Sequence, residues 1–239
     1  MSEPFSRSEA LLGEEAMKRL AEARVLVVGV GGVGSWCAEA LVRTGLGHIA
    51  IVDDDLVAQS NVNRQCPATA KTIGRAKVEA MAQRLKEINP GCEVESRNSR
   101  FFRAASIPGF SGFSLVVDAI DSVDCKAELI LGATEAGVPL VSSMGAALRL
   151  DPTKVKMTRF EKVEGDGLAR ALRQRFKKLG RFPAAKFACV WSSESPVIRA
   201  FGHSNVRTSS KGSLMQVTAV FGMCLASEAI RILTKGEAK

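Results

Sequence analysis

At 239 residues the chain can bury one large core, and its 46% hydrophobic and 24% charged residues mark it as globular rather than disordered or fibrous. Read from sequence, no apolar stretch approaches the roughly 20 residues that span a bilayer, and residues 1–9 are too polar for a secretory or transit peptide, so a cytoplasmic protein is expected. The formal charge of +8 is clustered: residues 154–186 hold eleven Lys or Arg against three Glu or Asp, which accounts for the whole surplus.

In chain order, residues 13–21 carry leucines and a methionine at helical spacing and read as a short helix. Arg24 to Gly29 is a short apolar run ending on glycine, the pattern of a buried parallel strand. Ser35 to Thr44 reads as a helix closed by Gly45, and His48 to Asp53 as a second strand with an acid at its carboxyl end. Residues 54–73 are polar and irregular, and loops of that length inside compact domains are usually functional. Residues 74–88 predict an amphipathic helix with Val78, Met81, Ala82, Leu85 and Ile88 on one stripe, stopped at Asn89-Pro90.

Glu93 to Arg97 and Leu115 to Asp118 read as strands, residues 123–136 as a helix, and Pro139 begins another strand. Between residues 146 and 160 the pattern changes to alternation, which predicts antiparallel strands at the sheet edge. A short basic helix around Arg170, a strand at Ala188 and a long, mostly apolar helix over residues 212–233 complete the chain. Alternating strands and helices predict an α/β fold: a Rossmann-like, mostly parallel sheet with helices on both faces and an antiparallel C-terminal extension. Residues 1–239 read as a single domain, with a core at about 24–145 and a basic segment at about 154–186.

The chemistry begins at Gly29-Val-Gly31-Gly32-Val-Gly34, which follows a strand and opens a helix. Glycines there let the backbone approach a phosphate, and the helix N-terminus offers free N–H groups. Asp53, at the end of the next strand, can accept hydrogen bonds from ribose hydroxyls. The turn alone leaves NAD, FAD and ATP open. Asn61 and Arg64 on the following loop, with Lys77 on the next helix, would occupy the space a dinucleotide needs and suit a triphosphate instead. Asp121, three residues past Asp118 at a strand's carboxyl end, is a candidate Mg²⁺ ligand.

The set Gly29-x-Gly31-x-x-Gly34, Asp53-x-Asp55, Ser60-Asn61-x-x-Arg64-Gln65, Lys77 and Asp118-x-x-Asp121 resembles the ubiquitin-activating-like superfamily of adenylating enzymes. That resemblance implies that these residues bind ATP and place Mg²⁺ while a carboxylate attacks the α-phosphate. It also implies a homodimer in which an N-terminal Arg, matched by the spacing of Arg7 from Gly13, reaches the ATP of the neighbouring subunit. Arg7, Arg64, Lys77 and Asp121 are then the catalytic set, and Gly29, Gly31, Gly32, Gly34, Asp53, Asp55, Asn61, Arg64 and Lys77 the nucleotide set.

Carrier-protein activators of this superfamily hold zinc on paired C-x-x-C motifs, whereas the six cysteines here (Cys37, Cys66, Cys92, Cys125, Cys189, Cys224) form none. Phe5-Ser-Arg-Ser-Glu, Gly31-Gly-Val-Gly-Ser-Trp, Val62-Asn-Arg-Gln, Ala119-Ile-Asp-Ser and Cys189-Val-Trp-Ser-Ser-Glu instead resemble the branch of dehydratases that act on threonylcarbamoyladenosine in tRNA. This implies ATP-dependent activation of the threonylcarbamoyl carboxylate and its cyclisation, with the basic segment from Lys154 to Lys186 facing tRNA phosphates. The alternative within adenylation is an activator of a small sulfur-carrier protein's C-terminus; a nicotinamide oxidoreductase and a non-catalytic tRNA-binding module are the rivals outside it. A sulfur-relay partner, if any, is not legible.

Cys189 and Cys66 are expected to be packing thiols, because a tethered cyclisation needs no enzyme nucleophile. His48 and His203 are assigned no role. With no Tyr in the chain, stacking on a nucleobase would fall to Phe, Trp or Arg.

Overall fold

The computed structural model describes residues 3–100, 109–197 and 212–235. Among these residues seven strands form one sheet in the order β3-β2-β1-β4-β5-β7-β6. The strands are β1 (Arg24–Val28), β2 (His48–Asp53), β3 (Glu93–Asn98), β4 (Leu115–Asp118), β5 (Leu140–Ser143), β6 (Val155–Arg159) and β7 (Ala188–Ser192). All neighbours pair in parallel except the edge pair β6–β7, which is antiparallel. Within residues 146–160 the sequence led us to expect several antiparallel strands; β6 is the one strand described there.

The helices are α1 (Ser6–Leu12), α2 (Glu14–Glu22), α3 (Gly34–Thr44), α4 (Lys77–Ile88), α5 (Val123–Glu135), α6 (Gly167–Leu179) and α7 (Met215–Thr234). Strand periodicity divides the core. Val25 and Val27 of β1 point to the face covered by α3, α4 and α7, while Leu26 and Val28 join the opposite layer built from α5 and α6. Phe160 consolidates that second layer, stacked on Phe187 at 5.0 Å and edge-on to Phe176 at 6.2 Å.

Two further details differ from the sequence reading. The expected helix over residues 13–21 is preceded by a separate helix of 7 residues, α1, with Gly13 at φ +84° as the joint between them. The C-terminal α7 is, by length and composition, long and apolar enough to cross a membrane, contrary to the expectation that no such stretch exists. Its apolarity has a packing cause: Val217, Phe221, Leu225 and Ala229 are fully buried in the core under α3 and the sheet. Gly222 lets the two helices touch, since a Cβ there would lie 2.6 Å from the Val33 carbonyl oxygen and 2.8 Å from Trp36 Cβ.

Candidate active site

The carboxyl ends of β2, β1, β4 and β5 lie side by side, and the motif residues leave the sheet at this edge. Gly29 bends the chain out of β1 at φ +92°, and a side chain there would strike the Ala119 carbonyl oxygen at 2.6 Å. At Gly34 the fit is closer still, because a Cβ would sit 1.8 Å from the Gly29 carbonyl oxygen. Ser35 Oγ donates to the Gly31 carbonyl at 2.6 Å and accepts the Cys66 N–H at 3.1 Å, tying the turn to the loop after β2. No side chain caps α3; the Ser35 and Cys37 N–H groups bond the Gly31 and Val33 carbonyls at 3.2 and 3.1 Å, which leaves the other N–H groups of the first turn to face an anion.

Asp53 is integrated into this turn. Its Oδ2 accepts the Val30 N–H at 2.7 Å and its Oδ1 the Asp55 N–H at 3.0 Å. Burial raises its pKa, opposed by nearby Lys77 and the two N–H donors. The Lys77 ammonium is buried between two acids, 2.6 Å from Asp55 Oδ2 and 3.9 Å from Asp53 Oδ1. Asn61 accepts the Ala58 N–H at its Oδ1, and its amide N–H groups make no hydrogen bond among the described residues.

Arg64 donates through Nη1 to the Ser60 carbonyl and Asn63 Oδ1, and its own carbonyl accepts the Trp36 indole N–H at 2.9 Å. Its stem passes beside Gly32, where a Cβ would stand 3.4 Å from Arg64 Cγ and from Thr218 of α7. The structure therefore brings together the four glycines, Asp53, Asp55, Asn61, Arg64 and Lys77. Asp121 is exposed just past β4, with no hydrogen bond or ion pair among the described residues. Arg7 lies exposed on α1, a helix with no buried residue, and is likewise unpartnered among the described residues.

Sequence reasoning missed what holds Asp121 in place. Lys126 and Asp118 are both fully buried and pair at 2.8 Å. Lys126 Nζ also donates to the Ile120 carbonyl at 2.9 Å, Asp118 Oδ1 accepts the Ile120 N–H at 3.2 Å, and Ser142 Oγ donates to Asp118 Oδ2 at 2.7 Å. Both backbone polar groups of residue 120 are thus clamped by one buried pair immediately before Asp121. The sequence signal was a lysine inside an otherwise apolar helix face. Also missed was Glu39, whose carboxylate accepts from Arg84, Arg43 and the Cys66 thiol behind the glycine turn.

The thiols behave as expected. Burial pushes Cys189 up to about 12, as does burial together with the Glu39 hydrogen bond for Cys66, so neither is a ready thiolate. His48 contacts Glu93 at 3.1 Å, and His203 lies outside the described residues. The basic segment divides. Arg173 is spent on the Phe160 and Val163 carbonyls, Arg175 on Asp124 and Arg181 on Glu135, while Arg159 and Lys186 line a groove at the amino ends of the strands, away from the glycine turn. Lys162, Arg170, Lys177 and Lys178 are exposed.

A family model described as the ThiF family matches residues 5–239. The chain belongs to the ThiF family. It is 38% identical over 247 residues to the tRNA threonylcarbamoyladenosine dehydratase of Escherichia coli (strain K12), covering 95% of this chain and 92% of that protein. The Bacillus subtilis (strain 168) dehydratase is 38% identical over 200 residues, or 83% of this chain and 78% of its own. Among solved structures, the E. coli dehydratase in complex with ATP superposes with a TM-score of 0.85 at 38% identity, over 96% of this chain and 93% of that one.

Proposed function

We propose that this protein is an ATP-dependent tRNA threonylcarbamoyladenosine dehydratase. The observation that carries the reading is the 38% identity to a named dehydratase across 95% of the chain, a span that reaches beyond the nucleotide core into β6, α6, β7 and α7. The site's chemistry agrees with it. Glycine-turn N–H groups and the α3 N-terminus would hold phosphates, Asp53 would take the ribose, and Arg64, Lys77 and Asn61 would offset charge on the α-phosphate and leaving pyrophosphate. Lys77 would exchange part of its contact with Asp55 for phosphate oxygens.

Asp121 suits Mg²⁺: it is a hard, unpartnered carboxylate at the sheet edge, and Mg²⁺ needs only one or two carboxylates beside phosphate oxygens. Bound there, the ion would neutralise triphosphate charge. The other acidic group, Asp53-Asp54-Asp55, fits less well because two of its members are committed to backbone N–H groups and Lys77.

In the reaction, one carboxylate oxygen of the threonylcarbamoyl group attacks the α-phosphorus, the bond to the β-phosphate oxygen breaks, and pyrophosphate leaves with the electron pair. The tethered nucleophile then attacks the acyl carbon and loses its proton to water, and AMP departs with the original carboxylate oxygen. The modified nucleoside is lighter by one water. Enzyme groups need only hold the reactants together, since the second step is intramolecular.

The single seven-stranded sheet supports reading residues 1–239 as one adenylation domain. A homodimer is part of the proposal: Arg7 and the 85% exposed Leu11 project from α1 one turn apart, where a neighbouring copy would cover the leucine and receive the guanidinium. Exposed Lys162, Arg170, Lys177 and Lys178 would meet tRNA phosphates in the cytoplasm, where tRNA is modified. The test is mass spectrometry of tRNA nucleosides after incubation with ATP, Mg²⁺ and bulk tRNA. A product lighter by one water supports the reading; no product, with pyrophosphate exchange stimulated by a small Gly-Gly-terminated protein instead, would transfer the assignment to carrier activation.

A further inference from the structure

Arg149 is 4% exposed, and its Nε and Nη1 are buried without a hydrogen-bond partner among the described residues. An arginine keeps its charge at any physiological pH, so a buried guanidinium must find an anion or cost several kcal/mol of roughly the size known for unpaired buried charges. The acids that bond its loop and the flanking residues already have partners. Glu194 accepts the N–H groups of Leu150 and Asp151, Asp151 accepts from Thr153, and Asp166 accepts the Gly145 N–H and caps α6 through the Ala169 N–H. The backbone is strained beside it, with Leu148 at φ +61°.

The position of this loop gives the missing anion a source. Residues 144–151 follow β5, so the sheet edge reads in order Asp53 (β2), glycine turn (β1), Asp121 (β4), Arg149 (β5). The loop is also stitched to the phosphate side of the site: Leu148 N–H donates to the Gly212 carbonyl, and the adjacent Ser213 carbonyl accepts from Asn63, next to Arg64. The loop that carries Arg149 therefore lies at the edge of the site beyond the glycine turn, on the side opposite the ribose acid. That is where an acyl group must arrive to reach an α-phosphate.

We propose that Arg149 binds the carboxylate of the acyl substrate and delivers it to the nucleotide, a role that rests on the dehydratase reading above. Two anions, carboxylate and triphosphate, repel each other on approach. A guanidinium pairing with one carboxylate oxygen offsets that repulsion and leaves the other oxygen for attack on phosphorus.

The experiment uses the full-length protein as wild type, R149M and R149K. Conversion is measured with tRNA bearing threonylcarbamoyladenosine, and equilibrium binding with that tRNA and with the same tRNA bearing plain adenosine. R149M is expected to raise KM for the modified tRNA roughly 10- to 100-fold, to lose the preference for modified over plain tRNA, and to keep KM for ATP within about twofold; R149K should restore part of the preference. Because an unpaired buried charge is removed, apo R149M should melt no lower than wild type. An unchanged preference, an equal loss for both tRNAs (a backbone-phosphate contact) or a sharply lower melting temperature (an internal structural cation) would each overturn the assignment. If wild type itself neither converts nor prefers the modified tRNA, the dehydratase reading falls first and takes this role with it.

Discussion

Replacing Lys126 with methionine tests whether the buried pair under the sheet edge is what positions Asp121. Both partners are fully buried, and the lysine makes two contacts, at 2.8 Å to Asp118 and 2.9 Å to the Ile120 carbonyl. Methionine nearly conserves the volume but leaves Asp118 with only Ser142 Oγ and the Ile120 N–H as donors. Breaking a buried pair from one side typically costs ~3–5 kcal/mol. For a chain of this size that corresponds to a melting temperature lowered by about 6–20 °C. The double variant D118N/K126M removes the stranded charge while keeping an amide for Ser142 and Ile120, and should recover at least half of the loss. Urea unfolding at pH 7 measures both. ATP–pyrophosphate exchange at a temperature where each variant is folded should show the double variant impaired in turnover more than in ATP binding, because Ile120 has lost its carbonyl anchor. A K126M protein within about 1 kcal/mol of wild type, or a double variant no more stable than the single one, would refute the reasoning.

Asp121→Ala should abolish pyrophosphate exchange with an unchanged melting temperature, because the carboxylate is exposed and unpartnered; wild-type exchange in that variant would remove Asp121 from the metal role. Glu39 should make stability fall in acid. Burial alone would raise its pKa, but bonds from Arg84, Cys66 and Arg43 hold it at about 2 against 4.5. The folded value is depressed, so its contribution is complete above pH 4.5 and is lost as pH falls towards 2. E39Q should flatten the denaturation midpoint across that window, and an unaltered acid slope would dismiss the idea. K177E/K178E should weaken tRNA binding for any sequence and reduce its salt dependence while leaving ATP binding intact; a filter-binding titration at several salt concentrations reads this, and an unchanged slope would move the tRNA surface elsewhere.

How much of this was legible depended on whether local pattern or tertiary neighbours set the outcome. The parallel strands announced themselves because strands buried on both faces must be continuously apolar, as Val25 to Val28 are. The glycines were legible because only contacts such as the 1.8 Å approach at Gly34 compel that residue type. What stayed hidden were relations between distant residues. The apolar helix face around Lys126 hints at burial, but nothing local names Asp118 as its partner, and Arg149 looks like any loop cation until the acids bonded to its loop are seen to be occupied. The basic segment misled in part for the same reason: composition counts charges but does not show that Arg173, Arg175 and Arg181 are engaged by carbonyls and acids of their own fold.

The seating of α7 on α3 has a consequence for biosynthesis. Residues of the nucleotide turn are translated early, but Thr218 and Gly222, which back Gly32, Val33 and Trp36, come from α7, whose synthesis follows that of every described strand. A nascent chain can pair its strands as they emerge, yet the part of α3 that packs on α7 has no cover until α7 is released from the ribosome. ATP-binding competence should therefore appear late and abruptly during translation. Chains arrested before Met215 would expose the Cys37–Leu41 face of α3 and be substrates for chaperones and proteases rather than partially active enzymes.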